Sequence, residues 1–187
     1  MPVSCARYRL HHQGFTLIET IVGIVVLAIS FSVLTSLIYP ITQQSADQLH
    51  QVKAAELAQS MLNEIQNKAF DQNSDMAGGI LRCGETSAPL CSTVMGAETG
   101  ESRANFNDID DYNDLNYIAG EIENSQGQLL NLYLGYAMSV SVCNDADYDG
   151  VCNADPAINK STAKLITVTI ITPTDFSLHF STYRANF

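Results

Sequence analysis

The chain has 187 residues, a formal net charge of −11, 46% hydrophobic residues and 16% charged ones. That length holds one ordinary domain plus an appendage. The acidic balance, with no basic cluster after residue 41, excludes a nucleic-acid-binding surface, which needs Lys and Arg against phosphate.

At the N-terminus, a short basic stretch containing Arg7 and Arg9 with His11 and His12 ends at Gly14, and Phe15, Thr16, Leu17, Ile18 and Glu19 follow. From Thr20 to Ile41 no residue is charged. As a helix, such a run spans about 33 Å at ~1.5 Å per residue and matches a hydrocarbon core about 30 Å thick. Basic residues before the run and acidic ones after it predict a single-pass segment with a cytoplasmic N-terminus and everything beyond Ile41 outside. A cleaved secretory signal fits less well: the run is long for its apolar region, no Ala-x-Ala site closes it, and Glu19 sits at its start. A carboxylate at the edge of a membrane segment is costly unless it is paired or protonated. Pro40 predicts a kink or local melting at the outer end of the run.

Residues 42–70 predict an amphipathic continuation of the same helix. Val52, Ala55, Ala58, Met61, Leu62, Ile65 and Ala69 recur at helical spacing and predict an apolar stripe that packs on a sheet. Asp71, Gln72, Asn73 and Ser74, then Gly78 and Gly79, end it. Residues 71–116, rich in Gly, Ser, Thr and Ala and weakly periodic, predict a long irregular connection. Within it Asp108, Asp110, Asp111 and Asp114 read as a solvated acidic loop, with cation ligation as the alternative.

Residues 117–187 predict an antiparallel sheet. Leu132, Leu134, Tyr136, Met138, Val140 and Val142 alternate along one strand, 164–172 form a second that is rich in β-branched residues, and 176–187 form a third. Pro173, Thr174 and Asp175 supply the turn between the last two. A long N-terminal helix, transmembrane in its first half and packed on a small antiparallel sheet in its second, is an α+β fold. Nothing argues for an enzyme: no Gly-x-Ser-x-Gly and no phosphate-binding glycine loop occurs, His50 falls on the polar side of the helix, and His179 reads as structural.

Cys5 lies in the basic stretch; Cys83, Cys91, Cys143 and Cys152 lie outside the membrane. Four cysteines in an exported region, without Cys-x-x-Cys spacing, predict two disulfides rather than a zinc site. Three pairings are possible, and Cys83–Cys91 with Cys143–Cys152 is favoured because each closes a short loop. In the second loop Asp145, Asp147 and Asp149 alternate and Gly150 follows, the first half of a calcium loop. Val151 would offer a carbonyl and Asn153 a side chain or a water. The twelfth position is Pro156 rather than a bidentate glutamate, with Asp155 one place earlier, and strand pattern precedes the loop. This predicts calcium in a β context, not an EF-hand; the alternative is a metal-free acidic hairpin loop.

Gly14 to Glu19, ahead of an uncharged run, resembles the prepilin signature of type IV pilins and of the pseudopilins of type II secretion. The resemblance implies that prepilin peptidase cuts between Gly14 and Phe15 on the cytoplasmic face, removes residues 1–14 as a leader, and methylates the new amine at Phe15. It implies that residues 15–41 are the membrane and fibre-core helix, and that 71–187 form an extracytoplasmic head. Glu19 takes the place of the family's acidic residue, whose partner is the terminal amine of another pilin subunit. Before assembly the chain would sit in the inner membrane; afterwards it would be in a surface fibre. The helix segment 54–65, the loop 106–115 and the ending 165–187 also look like the MshD-type minor pilins of mannose-sensitive haemagglutinin (MSHA) pili. Some proteins of this family brace the head with calcium, which agrees with the loop at Asp145.

Overall fold

The computed structural model describes residues 14–74, 81–153 and 160–187, with the backbone alone at 39–43. One helix, α1, runs Leu17–Gln66. Four strands follow, β1 (Asn116–Tyr117), β2 (Ala137–Asn144), β3 (Ala163–Ile171) and β4 (Ser177–Ala185), and pair antiparallel in the order β1-β2-β3-β4. The architecture is the expected α+β: a long apolar N-terminal helix and a small antiparallel sheet. The chain divides into two compact units, Met1–Ala46 and Asp47–Phe187. The backbone stays helical through Pro40, so the local melting expected there is not found.

In the second unit, α1 presents Ala54, Leu57, Ala58, Met61, Leu62 and Ile65 to the core. Their spacing of three and four residues builds one stripe on a 3.6-residue helix. The stripe is rotated from the expected one: Val52 is exposed and Ala55 half-buried, while Ala54 and Leu57 face inward. From the sheet, Met138, Val140 and Val142 of β2 pair in register with Ile170, Val168 and Ile166 of β3, and all six are buried in the same core. Every second residue of a strand points to one face, so the intervening Ser139, Ser141, Thr167 and Thr169 form the outer surface. Full burial of a side chain such as Leu57 or Ile65 is worth about 1.5–3 kcal/mol.

The alternation before β2 misleads. Residues 131–133 form a 3-10 turn, Leu132 and Leu134 are exposed, and Gly135 reverses the chain at φ +84°. A side chain at Gly135 would meet Pro173 at 3.2 Å, so glycine is required both for the backbone angle and for the close approach. The turn at Pro173–Asp175 forms as expected, with the Asp175 N–H donating to the Thr172 carbonyl at 3.0 Å.

The connection over 71–116 is irregular, with short 3-10 turns at Arg103–Asn105 and Asp110–Tyr112 and a bridge from Asp108 to Ala69 among its described residues before β1. It is nonetheless firmly held. Phe106, Ile109 and Tyr112 enter the core. Arg103 grips Glu64 of α1 through two guanidinium contacts, 2.6 and 2.8 Å, and the Tyr112 hydroxyl donates to the same carboxylate at 2.7 Å. Burial works to raise Glu64, but the Arg103 and Tyr112 hydrogen bonds outweigh it and hold this carboxyl below its usual range.

The acidic stretch corrects the sequence reading. Asp108, Asp110 and Asp111 are not solvated; they are buried, and Asp114 alone of the four is not. The reason is Lys164 of β3, itself buried, whose ammonium lies 2.5 Å from Asp110 and 3.6 Å from Asp71. It donates to the Phe70 carbonyl at 2.6 Å and sits 4.4 Å from the centre of the Phe70 ring. Removing this ammonium leaves buried carboxylates without a counter-charge. Lys164→Met is expected to cost about 3–5 kcal/mol in urea unfolding, with much of it recovered in Lys164→Met/Asp110→Asn. Equal stability of wild type and the single variant would show that the ion pair does not hold the head together.

Candidate functional site

The N-terminal motif lies where α1 begins. Gly14 and Phe15 precede the helix, and Phe15 is 80% exposed. The Thr16 carbonyl accepts from the N–H groups of Glu19 and Thr20 at 3.1 and 3.2 Å, and its hydroxyl accepts from Glu19 N–H at 3.4 Å. Thr16 and Glu19 therefore have the spacing of a capping box, and the carboxylate stands in the first turn, where the helix dipole favours negative charge. The Gly14–Phe15 bond is an exposed peptide ahead of a capped helix, which a protease can reach without unwinding α1. The basic residues Arg7 and Arg9, His11, His12 and Cys5 lie outside the described residues.

Leu17–Ile38 is long and apolar enough to cross a membrane, with a mean hydropathy of 2.6 and none of it buried. Four of its hydroxyls are satisfied within the helix. Thr20, Ser30, Thr35 and Ser36 each donate to a carbonyl three or four residues back, at 2.8–2.9 Å. These four hydroxyls then need no water, which suits a lipid or an apolar fibre core.

The expected calcium loop leaves the end of β2. Cys143–Cys152 closes it, and Cys83–Cys91 forms in the irregular connection, with Cα separations of 5.5 and 4.7 Å. Asp145 is buried and organises the turn: its carboxylate accepts from the N–H groups of Asp149 (3.3 Å) and Gly150 (2.9 Å) and from the Tyr183 hydroxyl (2.6 Å). Tyr183, above all, holds Asp145 below the usual carboxylate range, while contact with Asp145 and the charge of Asp149 raise Asp147. Oxygens of Asp145, Asp147 and Asp149 come within 4.8 Å of one another. Asp145 already spends most of its acceptor capacity on the loop, so Asp147 and Asp149 carry the capacity left for a cation. Val151 is exposed, and the Asn153 N–H donates to the Asn144 carbonyl at 2.8 Å. Asp155 and Pro156 lie outside the described residues.

Sequence reasoning missed a second acidic convergence. Glu98, Glu101 and Asp111 also bring one oxygen each within 4.8 Å of one another. No spacing rule joins residues 98, 101 and 111; the 3-10 turn at Asp110–Tyr112 brings them together. Burial, with the neighbouring Glu101 and Asp108, pushes Glu98 up to about 8. Burial likewise pushes Asp108 up to about 6 and Asp110 up to about 7, the latter against the pull of Lys164.

Residues 9–35 match the model of the prokaryotic N-terminal methylation motif. No curated protein and no solved structure shows a significant match to the chain. The motif is the one that type IV pilin-like proteins carry, pilins and pseudopilins alike.

An acid whose pKa is raised on folding binds its proton more tightly in the folded state. Its stabilising effect is complete below the unfolded carboxylate range and is lost as pH rises through the folded value. For Asp108, Asp110 and Glu98 that window runs up through about 6, 7 and 8. Glu64 and Asp145 are lowered and change only in more acidic solution. The full chain in detergent with chelator is therefore expected to melt about 5 °C lower at pH 8.5 than at pH 5.5, by near-ultraviolet circular dichroism. A higher Tm at pH 8.5 would contradict the assignment.

Proposed function

We propose that the protein is a minor pilin of an MSHA-type type IV pilus, a low-copy structural subunit that contributes to pilus assembly or initiation and to surface attachment. The observation that carries this reading is the methylation motif directly ahead of an apolar, wholly unburied helix, joined to an α+β head. Large apolar side chains exposed along Leu17–Ile38 need a covering, first lipid and then the helices of neighbouring subunits. In this reading Gly14–Phe15 is cleaved, the Phe15 amine is methylated, and Glu19 pairs with the terminal amine of an adjacent subunit. A carboxylate–ammonium pair buried among apolar helices sets register, because any other stagger leaves a charge unpaired. The similarity of residues 54–65, 106–115 and 165–187 to MshD-type minor pilins supports the narrower assignment.

A pseudopilin of a type II secretion system uses the same N-terminal chemistry, and loss of a surface fibre on deletion separates it from the pilus subunit. A membrane-tethered calcium module is the reading from another class, and it predicts no processing at Gly14. We also propose calcium as the ligand of the 145–149 loop, on the convergence of its three carboxylates. It would lie at the periplasmic or cell-surface side, where the head resides in this reading.

The mass of the N-terminal peptide from membranes tests the main proposal. A methylated peptide beginning at Phe15, seen only in cells with prepilin peptidase, is expected, and a chain still beginning at Met1 would overturn it. Glu19→Ala is expected to leave processing intact and to remove the protein from sheared fibres; undiminished incorporation would dismiss the charge pairing. For the loop, millimolar calcium should raise the Tm of the chelated full chain by about 5 °C, with a smaller rise in Asp147→Asn/Asp149→Asn.

A further inference from the structure

We propose that Glu98, Glu101 and Asp111 form a calcium-binding site separate from the 145–149 loop, one that fastens the irregular connection to the head. The three carboxylates each place an oxygen within 4.8 Å of the others. Calcium–oxygen distances of about 2.3–2.6 Å put ligands on opposite sides of one ion about that far apart.

The arrangement is held ready by donors that leave one side free. Asp111 is only 2% exposed; its Oδ2 accepts from the N–H groups of Asn107 (2.7 Å) and Asp108 (3.1 Å). Its other oxygen, Oδ1, is buried with no hydrogen-bond partner, and so is Glu98 Oε2. A buried carboxylate oxygen facing other carboxylates and no donor is costly, and a cation removes the cost. Glu101 is positioned by the Asn107 side-chain amide, 2.7 Å from Oε1, and by the Glu98 N–H, 3.2 Å from Oε2.

Three cations of the head are committed elsewhere. Lys164 pairs with Asp71 and Asp110, Arg103 with Glu64, and Lys68 donates to the Phe106 carbonyl. Lys160 lines the same cavity as Glu98 but is within ion-pair distance of none of the three acids among the described residues. An all-oxygen ligand set selects a hard divalent cation. Ligands from a loop and a 3-10 turn suit the flexible coordination of calcium better than the strict octahedron of magnesium.

The test uses the full chain in detergent, stripped with chelator and titrated with calcium chloride by calorimetry, with magnesium chloride as the comparison. Glu98→Gln/Glu101→Gln is expected to lose one bound calcium and a Tm rise on the order of 5 °C. At pH 8.5, above the Glu98 value, its metal-free Tm should equal or exceed that of wild type, because like charges have been removed. Asp147→Asn/Asp149→Asn should keep this binding event, so failure of the 145–149 site leaves the result readable. Glu101→Gln alone serves if the double variant does not fold, since Glu101 is the more accessible pair member on Asn107. Unchanged calcium stoichiometry and affinity in the Glu98/Glu101 variants would overturn the proposal. So would a wild type that binds no calcium beyond the 145–149 site, whatever the metal-free stability of the variant. Loss of the calcium response in Lys160→Met with the acids intact would do the same.

Discussion

The head depends on one buried ammonium. Lys164 reaches from β3 to two separate parts of the chain: the Phe70 carbonyl and Asp71 just beyond α1, and Asp110 in the irregular connection. Sheet, helix end and connection meet at that point. The arrangement allows acidic residues to enter the interior, and it limits how many can do so, because one positive charge faces Asp71, Asp108 and Asp110 together. A second clamp, Arg103 on Glu64 with Tyr112, secures the same connection to the last turn of α1. A segment with almost no regular secondary structure thus becomes a fixed part of the fold through charge pairs, a disulfide and three core aromatic and aliphatic side chains.

The two compact units solve opposite solvation problems. In Asp47–Phe187 the apolar stripe of α1 is covered by the sheet. In the first unit Leu17–Ile38 has no protein covering, and the hydroxyls of Thr20, Ser30, Thr35 and Ser36 bond to carbonyls inside the helix. Such a helix is stable only in a medium as apolar as itself, whether lipid or a bundle of like helices. Glu19 is the exception that gives the arrangement direction. Capped by Thr16 at a helix N-terminus, it is tolerable at a membrane edge, and in an apolar bundle it requires a positive partner.

The 145–149 loop and the cluster at Glu98, Glu101 and Asp111 differ in how far they can be read from the chain. The first is local: alternating aspartates, a glycine in the left-handed region at φ +84°, and a flanking cysteine pair are contiguous, and the geometry follows from the spacing. Even there, the hydroxyl of Tyr183 arrives from β4 and takes up acceptor capacity that the motif alone would assign to a metal. The second cluster joins residues from separate turns, and no periodicity announces it.

The sequence by itself determined the long apolar helix, the α+β class and the strands after residue 137, and it favoured the two local disulfides that the structure contains. Each rests on short-range physics: hydropathy summed over one segment, alternation along one strand, or closure of one short loop. The rotation of the α1 stripe, the turn in place of a strand at 131–133 and the burial of Asp108, Asp110 and Asp111 were decided only by the tertiary structure. In each case the deciding partner is distant in the chain. The sheet selects which helix face is covered, Pro173 packs closely on Gly135 where the turn meets β2, and Lys164 supplies the charge that lets aspartates leave water. A carboxylate carries no local sign of whether it will face solvent or an ammonium, and its burial follows from the register that brings the two together.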